Sequence, residues 1–197
     1  MKTTKFILIL GSLFILLSCQ NKSPSNKESP YITDWHLNVN KSQFSFVTVK
    51  NKTHNEEHSI KYDGGYINQN GELKIHLALD TVDTGIEIRD QRLRDILFEV
   101  NQFPVAIITA KLENQLPLLK PFDVNFNLDL HGISKNITAT VLIQTVGDEL
   151  VVTNFEPIVI NGKEFNLDSA INQLTKIAGL QSINYEVLAD FKLTFEK

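Results

Sequence analysis

Polar and apolar residues alternate along most of the chain, and that alternation predicts strands. Phe122, Val124, Phe126, Leu128 and Leu130 interleave with Asp123, Asn125, Asn127, Asp129 and His131 without a miss. Successive side chains of a strand point to opposite faces, so this stretch has one apolar face and one wet face. Leu73, Ile75, Leu77 and Leu79 repeat the pattern against Glu72, Lys74, His76 and Asp80. The final run places Tyr185, Val187, Ala189, Phe191, Leu193 and Phe195 on one side. Trp35, Leu37 and Val39 predict a first short strand, and Phe44, Phe46 and Thr48 a second. Residues 59–67 form another, whose Gly64-Gly65 pair predicts a bulge or bend, and Asn70-Gly71 then predicts a two-residue hairpin turn. Residues 105–112 are apolar on both faces, while 137–146 and 150–160 read as strands joined around Gly147-Asp148.

Two stretches break the two-residue period. In residues 84–104, Gly85 suits a tight turn, and from Asp90 onward Leu93, Ile96, Leu97 and Val100 recur at helical spacing. Pro104 stops the helix and starts a strand. Arg89, Asp90, Arg92, Arg94 and Asp95 surround the stripe and read first as a solvated face, with an Arg clamping the turn against a carboxylate. The sharper reading makes this a charged lid in which Arg89 and Arg94 meet a phosphate or carboxylate head group. Further on, Asp168 or Ser169 caps a short helix in which Ile171, Leu174 and Ile177 form a packing stripe and Gly179 ends it, a cover against the strands. Eight or nine half-buried antiparallel strands with one or two short helices make an all-β closed barrel or a sandwich, between which the pattern does not choose.

With 197 residues and 42% apolar content, the chain suits one domain with a sizeable core, and its net charge of −4 gives no reason to expect nucleic acid. Its single cysteine, Cys19, excludes an internal disulfide or a thiolate metal cluster. Residues 1–18 carry Lys2 and Lys5 ahead of an apolar run, the layout of a secretory signal too short to span a membrane. Leu16-Leu17-Ser18-Cys19 looks like a bacterial lipobox, so cleavage would leave Cys19 to carry lipid at the head of the mature chain. Losing Lys2 and Lys5 leaves 17 basic against 23 acidic residues, a formal charge of −6. Residues 19–30 hold no large apolar side chain and read as a flexible tether, with the folded domain at 31–197. The expected location is the bacterial cell envelope, membrane-anchored through Cys19 and periplasm-facing. Gln20 in place of Asp leans the anchor toward the outer membrane.

One enzyme-like motif stands out. His54-Asn55-Glu56-Glu57-His58 fits H-x-x-E-H, in which two His one helical turn apart hold zinc. That chemistry needs a helix, whereas these residues lie between two strands with no third ligand in a suitable setting, so they read as a solvated hairpin loop and no metal is expected. His36, His76 and His131 fall on the polar phase of strands and read as exposed or hydrogen-bonded. No marked carboxylate pair, phosphate loop or nucleophile elbow is present, so neither an enzyme nor a cofactor is expected.

Several motifs then combine. They are Trp35-x-Leu37, Ser42-x-Phe44-x-Phe46 and Gly65, then Thr84-Gly85, Arg89-Asp90, Leu93, Phe98 and Phe103-Pro104, and lastly Leu128-x-Leu130-His131-Gly132-Ile133-Ser134-Lys135. Spread over nearly the whole domain, they resemble the YceI-like family of lipid-binding β-barrel proteins. The resemblance implies a closed antiparallel lipocalin-like barrel of about eight strands, with an apolar lumen for a long-chain amphiphile, typically a polyisoprenoid. Phe44, Phe46, Ile75, Leu77, Val124, Phe126, Leu128 and Phe191 are then the expected lumen residues, with ordinary core packing as their plain alternative. Many family members have a His soon after the second strand, where this chain has Lys50 and Asn51, and residues 51–58 also depart from the pattern. Either a different head-group preference or a ligand other than an isoprenoid follows. The expected function is a lipid-anchored protein that binds or carries a long-chain lipid or isoprenoid, the alternative being an envelope interaction or structural module with a filled barrel. No motif sets the oligomeric state, and a dimer is compatible with the pattern.

Overall fold

The computed structural model describes residues 34–113 and 116–197, so the predicted signal peptide, Cys19 and the tether lie outside the described residues. Ten strands account for the alternating stretches: β1 (Trp35–Leu37), β2 (Gln43–Lys50), β3 (His54–Ile67), β4 (Glu72–Asp83), β5 (Val105–Lys111), β6 (Phe122–Leu130), β7 (Ile133–Val146), β8 (Glu149–Asn154), β9 (Ile158–Asn161) and β10 (Glu186–Glu196). β10, β2, β3, β4, β5, β6, β7 and β8 follow one another antiparallel, and β8 returns to β10 through Thr153↔Lys192 to Leu150↔Phe195. The ring is closed: the all-β class is the one the alternation implied, and the lipocalin-like barrel, rather than a sandwich, the one the resemblance implied. Closure removes the edges of the eight-stranded ring and turns its inward rows toward one interior. β1 lies against β10 and β3 at one end, and β9 continues beyond β8 along β10.

The strand directions gather every helix at one end of the barrel, together with the β2–β3 and β6–β7 turns. The other end carries β1, the β3–β4 and β7–β8 turns and the β5–β6 connection. At the helical end, α1 (Glu87–Arg92) runs into a π-helical turn, Leu93–Leu97, sealed by the Phe98 N–H donating to the Leu93 carbonyl at 2.9 Å. The added residue breaks the predicted spacing and delivers Phe98, 6% exposed, to the interior. Asp90 departs from the predicted solvated face: it is buried, because its carboxylate replaces water by accepting from the Thr84 N–H and hydroxyl.

A 3₁₀ turn (Gly162–Phe165) leads into α2 (Asp168–Ile177). Neither Asp168 nor Ser169 caps it. The N-cap is Leu167, entered from Asn166 in the left-handed region, so the predicted caps fall inside the first turn, where Asp168 still complements the helix dipole. Gly179, at φ +64°, ends the helix as predicted, with Leu180 N–H bonded to the Thr175 carbonyl and Gly179 N–H to that of Lys176. Ile171 and Leu174 are buried, but Ile177 is exposed.

Other boundaries also shift. The 150–160 stretch divides into β8 and β9, and β3 begins at His54 rather than at residue 59. The turn after β3 closes with Asn68 bonded to Glu72, a three-residue loop that uses Gly71 at φ +77°. The Gly64-Gly65 pair does sit at a register shift, and a Cβ on Gly65 would meet the Lys74 carbonyl at 2.9 Å, so only glycine lets β4 approach there.

Candidate functional site

The inward rows meet around an apolar cavity of about 200 Å³ bordered by thirty-six residues. Its lining extends from Leu73, Phe122 and Leu150 at the loop end to Leu97, Leu167 and Tyr185 at the helical end. All eight residues expected in the lumen lie on its wall: Phe44 and Phe46 from β2, Ile75 and Leu77 from β4, Val124, Phe126 and Leu128 from β6, and Phe191 from β10. Leu97, Phe98, Leu167 and Ile171 join them from the helical end. Their spacing had marked Leu97 and Ile171 only as packing positions. Among the described residues, Tyr62 and Tyr185 supply the only side-chain oxygens on the wall. The Tyr62 hydroxyl reaches the Gln43 carbonyl at 3.4 Å and Tyr185 donates to Asn172 at 2.9 Å, while burial pushes the Tyr62 phenol up and keeps it protonated. The cavity wall is therefore almost wholly apolar.

Toward the helical end the same inward rows turn polar. Beyond Phe44 and Phe46, β2 continues with Thr48 and Lys50; ahead of Ile60 and Tyr62, β3 presents Glu56 and His58. The predicted solvated loop at 54–58 is thus a strand, and His58 is only 4% exposed. The loop proper is Asn51 to Thr53, tied down by Asn51 Oδ1 accepting from the Gln181 and Ser182 N–H groups. Four strand residues place His54 and His58 about 13 Å apart along β3, too far to share a metal ion. His54 sits exposed beside Glu56 at 3.4 Å instead.

Arg89, from α1, spans the cluster. Its Nε donates to Thr84 Oγ1 at 2.7 Å, one terminal nitrogen to the Thr84 carbonyl at 2.6 Å, and the other to Glu56 at 2.5 Å. Lys50 pairs with the same Glu56 oxygen. Burial alone would push the Glu56 carboxyl up, but Lys50 and Arg89 outweigh it and hold the group below its ordinary value. His58 goes down, first because it is buried and then because Arg89 and Lys50 face it, so its imidazole is neutral. Its Nε2 lies 3.0 Å from Thr48 Oγ1, whereas Nδ1 is buried with no partner. Arg94 pairs with exposed Glu87 at 2.6 Å, away from this cluster. The residues that sequence reasoning missed are Thr48, Glu56, His58 and Asp90. The available signal was the inward phase shared by Glu56, His58, Ile60 and Tyr62.

His131 sits in the β6–β7 turn at φ +55°, not on a strand, and binds Glu99 at 2.8 Å. Its ring lies 4.4 Å from that of Phe103, which also covers Gly132. Two separate motifs of the resemblance therefore touch, fastening the 84–104 block to the barrel rim.

The YceI-like domain pattern matches residues 35–195, the whole barrel. The chain belongs to the YceI-like family. A solved polyisoprenoid-binding domain from Saccharophagus degradans, implicated in plant cell wall breakdown, is similar to this YceI-like chain at 29% identity and a TM-score of 0.75, covering 82% of this chain and 97% of that one. BcnA of Burkholderia cenocepacia shares the fold at 17% identity and a TM-score of 0.61, over 80% of this chain and 98% of its own. The YceI protein of Campylobacter jejuni does so at 16% and 0.52, over 76% and 84%. No curated protein matches the chain.

Proposed function

We propose that this YceI-like protein binds or carries a long-chain apolar or amphiphilic molecule, isoprenoid-like, with its chain laid along the lumen. The observation that carries the reading is the almost wholly apolar cavity whose lining runs between the two ends of the barrel. Magnitude sets the ligand's length: each buried methylene contributes about 0.8 kcal/mol, while association costs about 4–15 kcal/mol. A short chain cannot offset that cost, and one of several isoprene units can. The similarity to a polyisoprenoid-binding domain supports the same class. Among the described residues no charged group borders the cavity, which favours binding over catalysis, and the open volume favours a ligand over a barrel filled by its own side chains.

Anchoring is part of the proposal. Lipid on Cys19 would hold the barrel at the envelope membrane, periplasm-facing, where long-chain lipids reside. Arg89 would meet a head group only by sharing donors now given to Thr84 and Glu56, and Arg94 only by leaving Glu87. The test is mass spectrometry of an organic extract of the Cys19→Ser protein purified from its host. A stoichiometric long-chain compound is expected; an empty extract from protein that also takes up no long-chain alcohol in solution overturns the reading.

A further inference from the structure

The polar end of the lumen combines balanced charges with one unpaired, buried nitrogen. Lys50 and Arg89 face Glu56 and Asp90, two cations against two carboxylates, and each is already engaged. A phosphate arriving there would have to pull Lys50 and Arg89 off Glu56 and leave that carboxylate unpaired beside a new anion, an arrangement that like-charge repulsion disfavours even at this partly exposed rim. The cluster has no spare positive charge to offer. His58 adds none, since burial and the two cations keep it neutral.

What the cluster offers instead is a hydrogen bond. His58 is the next inward position on β3 beyond Ile60, a wall residue, and its ring packs edge-on against Phe46, another wall residue, at 5.3 Å and 66°. With 4% exposure and Nε2 turned to Thr48, its Nδ1 is a polar atom without solvent or partner. Buried groups of this kind are normally satisfied; among the described residues only this nitrogen and the Ser182 hydroxyl are exceptions, and of the two it is His58 that follows the wall residue Ile60 on the inward row of β3. Whether Nδ1 carries the proton or Nε2 does, a hydroxyl can complete the bond, because it both donates and accepts.

We propose that the helical end of the tunnel receives an uncharged hydroxyl head group at His58, so that the preferred ligand is a long-chain alcohol and not its phosphate ester. The inference rests on the reading of the lumen as a long-chain site. It makes Thr48 and the Lys50–Glu56–Arg89 network positioning residues that hold the imidazole and keep the local charge at zero.

The experiment is calorimetric titration of the unlipidated Cys19→Ser chain, and of the same chain with His58→Phe or His58→Gln. Its probes are geranylgeraniol, geranylgeranyl diphosphate and a saturated hydrocarbon of equal length. The alcohol should bind about tenfold more tightly than the hydrocarbon, the worth of one buried hydrogen bond, and at least about tenfold more tightly than the diphosphate. His58→Phe should erase the alcohol's advantage over the hydrocarbon without weakening the hydrocarbon, and His58→Gln should keep part of it. A diphosphate that binds as tightly as the alcohol, or an alcohol advantage that survives His58→Phe, overturns the inference while leaving the long-chain reading intact. Should His58→Phe fail to fold, the wild-type ranking and His58→Gln decide. If none of the three probes binds, the long-chain reading falls, and this inference with it.

Discussion

The inner surface of the barrel has two regions that solve different problems with the same strands. Along most of the lumen, rows such as Phe44-Phe46 and Val124-Phe126-Leu128 supply area without direction, and any one of them contacts a chain wherever it lies. At the helical end, the continuation of those rows supplies direction without area: Lys50, Glu56, Arg89, Thr84 and Asp90 bind one another in fixed geometry, and His58 keeps one nitrogen free. The first region sets how stable the barrel is and, on the proposed reading, would set how tightly a hydrocarbon binds. On the proposed reading the second would set which end of an amphiphile fits, and it tolerates change less gracefully, because removing one member leaves partly buried partners unpaired.

Truncating the wall should have the largest effect. Phe195→Ala, at a site 1% exposed on the wall, is expected to cost about 3–5 kcal/mol in urea unfolding. A loss under about 1 kcal/mol would mean that the wall is not what holds the barrel together. Asp90→Ala orphans the Thr84 N–H and hydroxyl and should cost about 1–3 kcal/mol in the same assay. An unchanged midpoint would remove the distinction between directional and non-directional regions. Glu56→Gln leaves Lys50 and Arg89 without their counter-charge, and so should raise affinity for a long-chain diphosphate by about tenfold, while leaving affinity for a hydrocarbon unchanged.

The smallest effect is on acid stability. His58 is held below its ordinary value of 6.5, so below that pH the unfolded chain takes up a proton that the folded chain refuses. Stability should therefore fall as pH drops through that region, by at most about 1.4 kcal/mol per pH unit from this one group. Glu56, held below its ordinary 4.5, stabilises the fold above that value and loses its contribution as pH falls further. His58→Phe should abolish the first step and spare the second. A wild-type profile flat from neutrality down to the carboxylate range would contradict this placement of His58.

Strand faces were legible because a half-buried strand writes its geometry as a two-residue period, and all eight expected lumen positions fall on the cavity wall for that reason. The polar end was not. There the inward residues of β3 are Glu56 and His58, so the period continues in polar residues among Asn, Lys and Thr, and the stretch looks like a loop. Asp90 was misplaced for a related cause. A carboxylate is assigned to solvent unless its partners are known, and those partners are the backbone and hydroxyl of Thr84. The π-helical turn that brings in Phe98 leaves no trace in side-chain spacing, since it depends on one backbone bond to Leu93.

The most direct test of the tunnel is chain length. Straight-chain alcohols from decanol to eicosanol, titrated into the unlipidated Cys19→Ser chain, should gain roughly tenfold in affinity for every two added methylenes until the lumen is full. Ala139→Phe, placing a ring on the wall where a buried methyl now sits, should end that gain at a shorter chain. Affinity that does not depend on chain length, or a folded Ala139→Phe protein with the same length profile as the wild type, would contradict a hydrocarbon-binding lumen.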